Sequence, residues 1–205
     1  MHYSSPWWLT GGHAQTIYPA TLMQKPEVAL RRERWITPDQ DFVDVDFLDG
    51  EAGKPFLVLF HGLEGSSNSH YARALMHKLK ALGWSGAVPH FRGCSGEPNQ
   101  APRFYHSGDA QEINWIIRRL HTEFKAASPQ AKFFASGVSL GGNALLRWLG
   151  ESQSSASIID AACAVSAPLD LTNSGATLSR GFNRIYTKNF LQTLKPKCLH
   201  KLTQF

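Results

Sequence analysis

Residues 132–149 constrain this chain more than any other stretch. Lys132-Phe133-Phe134-Ala135 is a short apolar run, Gly137-Val138-Ser139-Leu140-Gly141-Gly142-Asn143 follows at once, and Ala144-Leu145-Leu146-Arg147-Trp148-Leu149 has helical composition. Strand, sharp turn and helix is the context in which Gly-x-Ser-x-Gly reads as a nucleophile elbow. A serine at the apex of such a turn needs neighbours two positions away that carry no Cβ, and Gly137 and Gly141 meet that need. Gly142 is expected to let the helix lie close to the strand. Ser139 is the candidate nucleophile, and the Leu140 N–H at the helix start is placed where the dipole favours negative charge.

The rest of the chain supplies the layers around that turn. Pro55-Phe56-Leu57-Val58-Leu59-Phe60 is continuously apolar, as a strand buried on both faces must be, and it runs into His61-Gly62-Leu63-Glu64-Gly65-Ser66-Ser67. A glycine-rich loop leaving a central strand can aim backbone N–H groups at a substrate oxygen, and the Leu63 N–H is the candidate second donor. His61 and Gly62 are read as support for that loop, His61 ordering it through hydrogen bonds. Residues 70–82 carry an amphipathic stripe (Tyr71, Leu75, Leu79, Leu82) closed by Gly83, residues 84–89 form the next strand, and residues 107–124 form a helix with Ile113, Ile116, Ile117 and Leu120 inward.

Asp41-Phe42-Val43-Asp44-Val45-Asp46-Phe47 alternates acidic and apolar residues, which predicts an antiparallel strand near a sheet edge with its carboxylates in water. Ile158 to Ser166 is expected to be another buried strand holding Cys163, and residues 176–194 a helix, after which Pro196 interrupts. Residues 1–30 show little periodicity and read as an N-terminal arm, with His13 and Gln15 as its polar anchors. Strands alternating with helices imply an α/β chain with a mostly parallel sheet, whose ligands sit at the carboxyl ends of the strands.

Composition enters by exclusion. The 205 residues hold five more Lys and Arg than Asp and Glu, and the basic residues are scattered apart from Arg31-Arg32-Glu33-Arg34 and Lys195-Pro196-Lys197. That argues against a nucleic-acid track and leaves room for weak contact with an anionic membrane surface. Three cysteines without metal-ligand spacing, no secretory leader pattern over residues 1–8 and no membrane-length apolar run point to the cytoplasm. The glycines at 137, 141 and 142 do not spell a dinucleotide-binding fingerprint.

Six segments together resemble the α/β-hydrolase superfamily, and within it the YheT-like (AB hydrolase 4) group of esterases and lipases. They are Gly-Gly-His-Ala-Gln-Thr (11–16), His-Gly-Leu-Glu-Gly-Ser-Ser (61–67), His-Phe-Arg-Gly-Cys-Ser-Gly-Glu-Pro-Asn (90–99), Tyr-His-Ser-Gly (105–108), Gly-Val-Ser-Leu-Gly-Gly-Asn (137–143) and Val-Ser-Ala-Pro (165–168). The resemblance implies helices on both faces of the sheet, an incomplete hydrolase core over 31–170 and the start of a helical lid over 171–205. It implies hydrolysis of small acyl esters through a Ser139 acyl-enzyme, with no metal and no organic cofactor.

The family's triad order of Ser, Asp and His implies that the acid and base lie beyond Phe205, roughly 50 residues of strand–helix units further on. His200 is a poor base by its place in the lid-like segment, and Asp170 reads as a helix cap. These 205 residues alone are accordingly expected to be nearly inactive. Acyl transfer or thioester chemistry on the same elbow, or ligand binding without catalysis, are the alternatives.

Overall fold

The structure is a computed structural model and describes residues 3–205. Six strands form one sheet in the order β1 (Arg31–Ile36), β2 (Phe42–Leu48), β4 (Ser85–Pro89), β3 (Phe56–Phe60), β5 (Phe133–Val138) and β6 (Ala161–Val165). The four strands from β4 to β6 pair in parallel, while β1 and β2 are antiparallel. Parallel neighbours need crossovers. These are the helices α2 (His70–Ala81), α3 (Ala110–Ala127) and α4 (Leu140–Ser152).

Strand β3 shows why the sheet is covered on both faces. Phe56, Val58 and Phe60 point into a core shared with Ile113, Ile116 and Ile117 of α3 and Leu145 and Trp148 of α4. Leu57 and Leu59 point the other way, towards Ala72, Met76 and Leu79 of α2. Period two along a strand with no polar side is the signature of a central strand. The α2 stripe is rotated from its expected position: its buried residues are Ala72, Met76 and Leu79, and Leu82 lies exposed at the C-cap.

Four further expectations are corrected. The acidic face of β2 is not in water: Asp44 and Asp46 are only 2% and 4% exposed. The antiparallel register sets Arg34 opposite Asp44 and Arg32 opposite Asp46, and both pairs close fork-like, at 2.8 and 2.6 Å. His90 and Ser67 cover Asp46 from above at 2.8 and 2.5 Å. Arg32 and Arg34 thus neutralise buried carboxylates while their own side chains stay partly exposed, and Arg31 pairs with the exposed Asp49.

The second correction is an N-terminal helix, α1 (Gly11–Thr21), which buries no residue and holds Pro19 in its last turn, so neither stripe nor continuity betrays it in sequence. Third, β6 is short and mostly exposed, with Cys163 exposed and Ile158 in a 3-10 turn (Gln153–Ile158). Among the described residues β6 has no neighbour on its far side.

Fourth, after α5 (Leu171–Leu178) the helix α6 (Arg184–Leu202) runs straight through Pro196. A proline inside a helix costs about 3 kcal/mol. Two anchors lie just beyond it: Lys197 Nζ reaches Glu64 at 2.6 Å, and Lys201 Nζ donates to the carbonyls of Asn99, at 2.6 Å, and Ala101. No helix among the described residues is long and apolar enough to cross a membrane.

Candidate active site

Ser139 sits between β5 and α4 with φ +52° and ψ −117°, a conformation that a residue with a Cβ rarely adopts. The surroundings over-determine it. Its N–H donates to Val165 O at 2.8 Å, its carbonyl accepts from Asn143 N at 3.0 Å, and the Asn143 side chain holds Pro168 O at 2.6 Å. The elbow is thus tied to the end of β6.

The glycines are steric necessities. A Cβ on Gly137 would stand 2.5 Å from Gly141 O, and one on Gly141 would stand 2.4 Å from the carbonyl oxygens of both Phe60 and His61. A Cβ on Gly142 would meet Gly137 O at 2.9 Å, so α4 lies directly against the end of β5.

The loop leaving β3 meets the elbow. A Cβ on Gly62 would lie 3.3 Å from Ser139 Cβ, so this backbone passes close beside the serine with no room for a larger residue. His61 is fully buried: its Nδ1 donates to Gly62 O at 2.8 Å and its Nε2 accepts from Phe91 N at 3.0 Å. That pairing specifies a neutral ring, and burial pushes its pKa down to about 3. A base is not available there, and the ring fixes the loop. Tyr71 Oη accepts from Gly62 N at 2.8 Å.

Ser139, Leu63 and Leu140 line one open cleft of about 830 Å³ with His13, Tyr186 and Phe190. No acceptor among the described residues takes the Leu63 or Leu140 N–H. Of the large apolar and aromatic side chains between Phe182 and Phe190, Tyr186 and Phe190 face this cleft. Phe182 packs on His13 with ring centroids 4.7 Å apart, and Ile185 lines a separate groove.

The other candidates resolve into local roles. His13 Nδ1 and Tyr186 Oη are 2.9 Å apart, which joins α1 to α6 across the mouth of the cleft. Asp170 is the N-cap of α5, accepting from Asn173 N at 2.9 Å. His90 is spent on Asp46 and the Cys94 carbonyl, and His200 contacts Gln204. Burial pushes the Cys94 thiol up to about 11, so it is no nucleophile at neutral pH.

The segment after His90 is nailed down by Arg92, which pairs with Asp39, Asp41 and Glu112 at 2.6–3.0 Å. Sequence reasoning missed that network and the Glu64–Lys197 pair. The first had a visible signal, since Asp41 and Arg92 both stand at turn-rich strand ends; the second spans 133 residues and had none. Among the described residues, no group of three or more His, Cys, Asp or Glu side chains is arranged to hold a metal ion.

Residues 55–198 match the alpha/beta hydrolase fold model, which covers the sheet from β3 onward, the turn at Ser139, α5 and most of α6. The chain belongs to that family. It is 41% identical over 94% of its length to "Putative esterase YheT" of Escherichia coli, and 30% identical over 76% to human "Phospholipase ABHD3". A Pyrococcus furiosus esterase superposes with TM-score 0.61 over 83% of this chain and 62% of its own, at 20% identity, a likeness of fold. The chain spans 56% of the E. coli relative and 39% of the human one.

Proposed function

We propose that this chain carries the nucleophile and oxyanion half of a serine carboxylic-ester hydrolase acting on small acyl esters. The observation that carries the reading is the contact between Gly62 and Ser139. It brings the loop holding the Leu63 N–H beside the elbow holding the Leu140 N–H, on one cleft. In the proposal Ser139 Oγ attacks the ester carbonyl, the two N–H groups hold the oxyanion, the alcohol departs protonated, and water releases the acid. Each donor contributes about 3 kcal/mol to the transition state. The strained backbone of Ser139 places the residue on the wall of the cleft, where a preorganised hydroxyl reduces the reorganisation needed at attack.

The histidines described above are engaged elsewhere, and none hydrogen-bonds the Ser139 hydroxyl. In the proposal the base is a histidine outside these 205 residues, and hydrolysis by them alone is lower by orders of magnitude. The names of the relatives, esterase and phospholipase, support the ester class. Three free cysteines support a reducing compartment such as the cytoplasm, and weak, salt-sensitive contact with anionic vesicles belongs to the same proposal.

The test is covalent labelling with a fluorophosphonate of a longer chain that carries the proposed histidine base, read by intact mass and peptide mapping. The adduct is expected on Ser139 and absent in Ser139→Ala. A protein that stays unlabelled while its fold is intact sinks the nucleophile assignment.

A further inference from the structure

The turn Gly62-Leu63-Glu64-Gly65 is closed by Gly65 N donating to Gly62 O at 2.9 Å, and Glu64, its third residue, has φ +54°. Glycine or asparagine ordinarily fills a left-handed third position in a turn, because a longer side chain is strained there. A glutamate that accepts this strain must gain something through its carboxylate. It does: Tyr105 Oη both accepts from Glu64 N at 2.9 Å and donates to Glu64 Oε1 at 2.8 Å, while Lys197 Nζ of α6 reaches Glu64 Oε2 at 2.6 Å. The Glu64 side chain is 7% exposed and that of Lys197 28%. Burial pushes the carboxyl up, but hydrogen bonds led by Lys197 outweigh it and hold the group below its ordinary range. The residue next to Leu63 is therefore gripped at its main chain by one loop and at its side chain by the lid helix.

We propose that Lys197 and Tyr105, acting through Glu64, are positioning residues for the Leu63 N–H, so that the seating of α6 sets whether the second oxyanion donor is aimed at the cleft. The inference rests on the oxyanion reading of Leu63 given above. When α6 lifts, Glu64 loses the cation that holds its carboxylate, the strained turn relaxes, and Leu63 turns with it. The lid then does more than cover the cleft: its docking completes the site. The device links two segments 133 residues apart, and the anchors Lys201–Asn99 and Lys201–Ala101 seat the same helix one turn further on.

The experiment compares Lys197→Met, Lys197→Arg, Glu64→Gly, Tyr105→Phe and the lid control Lys195→Met in the same longer chain that carries the proposed base. Saturation kinetics of fluorophosphonate labelling separate the bond-forming rate from reagent affinity. Lys197→Met and Glu64→Gly are expected to lower the limiting rate about 10-fold, with affinity changed less than about 2-fold, as befits a donor displaced but not deleted. Lys197→Arg should recover most of the rate, Tyr105→Phe should lose part of it, and Lys195→Met should match wild type.

Glu64→Gly relieves the backbone strain, so a role confined to turn shape predicts no loss in that variant. A limiting rate unchanged in Lys197→Met, or lowered equally in Lys195→Met, overturns the proposal. Wild type that does not label strikes the nucleophile reading instead. Amide hydrogen exchange over residues 61–67 still decides the clamp: Lys197→Met should speed exchange there and leave β3 unchanged, and identical exchange in the two proteins refutes it.

Discussion

Gly141→Ala offers the sharpest test of the elbow geometry. The added methyl would stand 2.4 Å from Phe60 O and from His61 O, about 1 Å inside ordinary van der Waals contact. Neither obstacle is a flexible side-chain end. Both are carbonyls at the end of β3, which is held by β4 on one side and β5 on the other. The strain must therefore go into moving α4 off the sheet or bending the loop that carries Leu63. Overpacking of this kind costs about 2–3 kcal/mol. For a chain of this size that lowers the midpoint of thermal unfolding by roughly 4–12 °C.

The same displacement separates Ser139 from the Leu63 donor, and a misplacement near 1 Å lowers reactivity by about 100-fold. Gly150→Ala is the matched control. It lies in the same helix, its Cβ would meet nothing within 4 Å, and it should stabilise by about 0.5–1 kcal/mol. Urea unfolding gives the stability of each variant, and the fluorophosphonate rate gives the site. A Gly141→Ala protein as stable and as reactive as wild type would refute the close approach of α4 to β3 and the chemistry built on it.

Three further outcomes are expected. Asp46→Asn should destabilise by roughly 2–3 kcal/mol at neutral pH, since Arg32 and His90 lose a buried carboxylate. Burial pushes the Asp46 carboxyl up, but its partners outweigh that and hold the folded pKa below the unfolded value. Its contribution is thus fully present above the unfolded pKa and lost as pH falls through the folded one. Urea titrations should show the gap between the two proteins closing below about pH 4, and a gap that widens on acidification is the wrong sign. Asp170→Ala should cost about 1 kcal/mol through the lost α5 cap and leave the Ser139 labelling rate unchanged; a large rate loss would make Asp170 part of the chemistry. Ellman's reagent at neutral pH should titrate Cys163 and Cys198 quickly and Cys94 slowly, and three equal rates would contradict the burial of Cys94.

How far the fold and site were readable follows the range of each interaction. The elbow was legible because its requirements are local: Gly137, Ser139 and Gly141 lie within five residues, and the steric demands run along one turn. The β3 strand was legible because a segment apolar at every position has only one kind of place in an α/β sheet. The alternation of β2 gave its pairing and its two faces, yet not the fate of the acidic one. Whether Asp44 and Asp46 meet water or Arg34 and Arg32 depends on which strand lies alongside. Cys163 differs in the opposite direction: its apolar run suggests burial, but burial needs a covering layer, and among the described residues nothing pairs with β6 on its far side.

By itself, the sequence determined the strand–turn–helix unit, the serine at its apex, the layered α/β class and the family, because backbone sterics and hydrophobic period act between near neighbours. Tertiary structure alone decided that Gly62 touches the elbow, that β2 buries its carboxylates against arginines, and that α6 holds Glu64 through Lys197. Those contacts join residues from 10 to 133 positions apart. Their energies exist only after the sheet has brought the partners out of water and within hydrogen-bond reach, and no local pattern encodes that meeting.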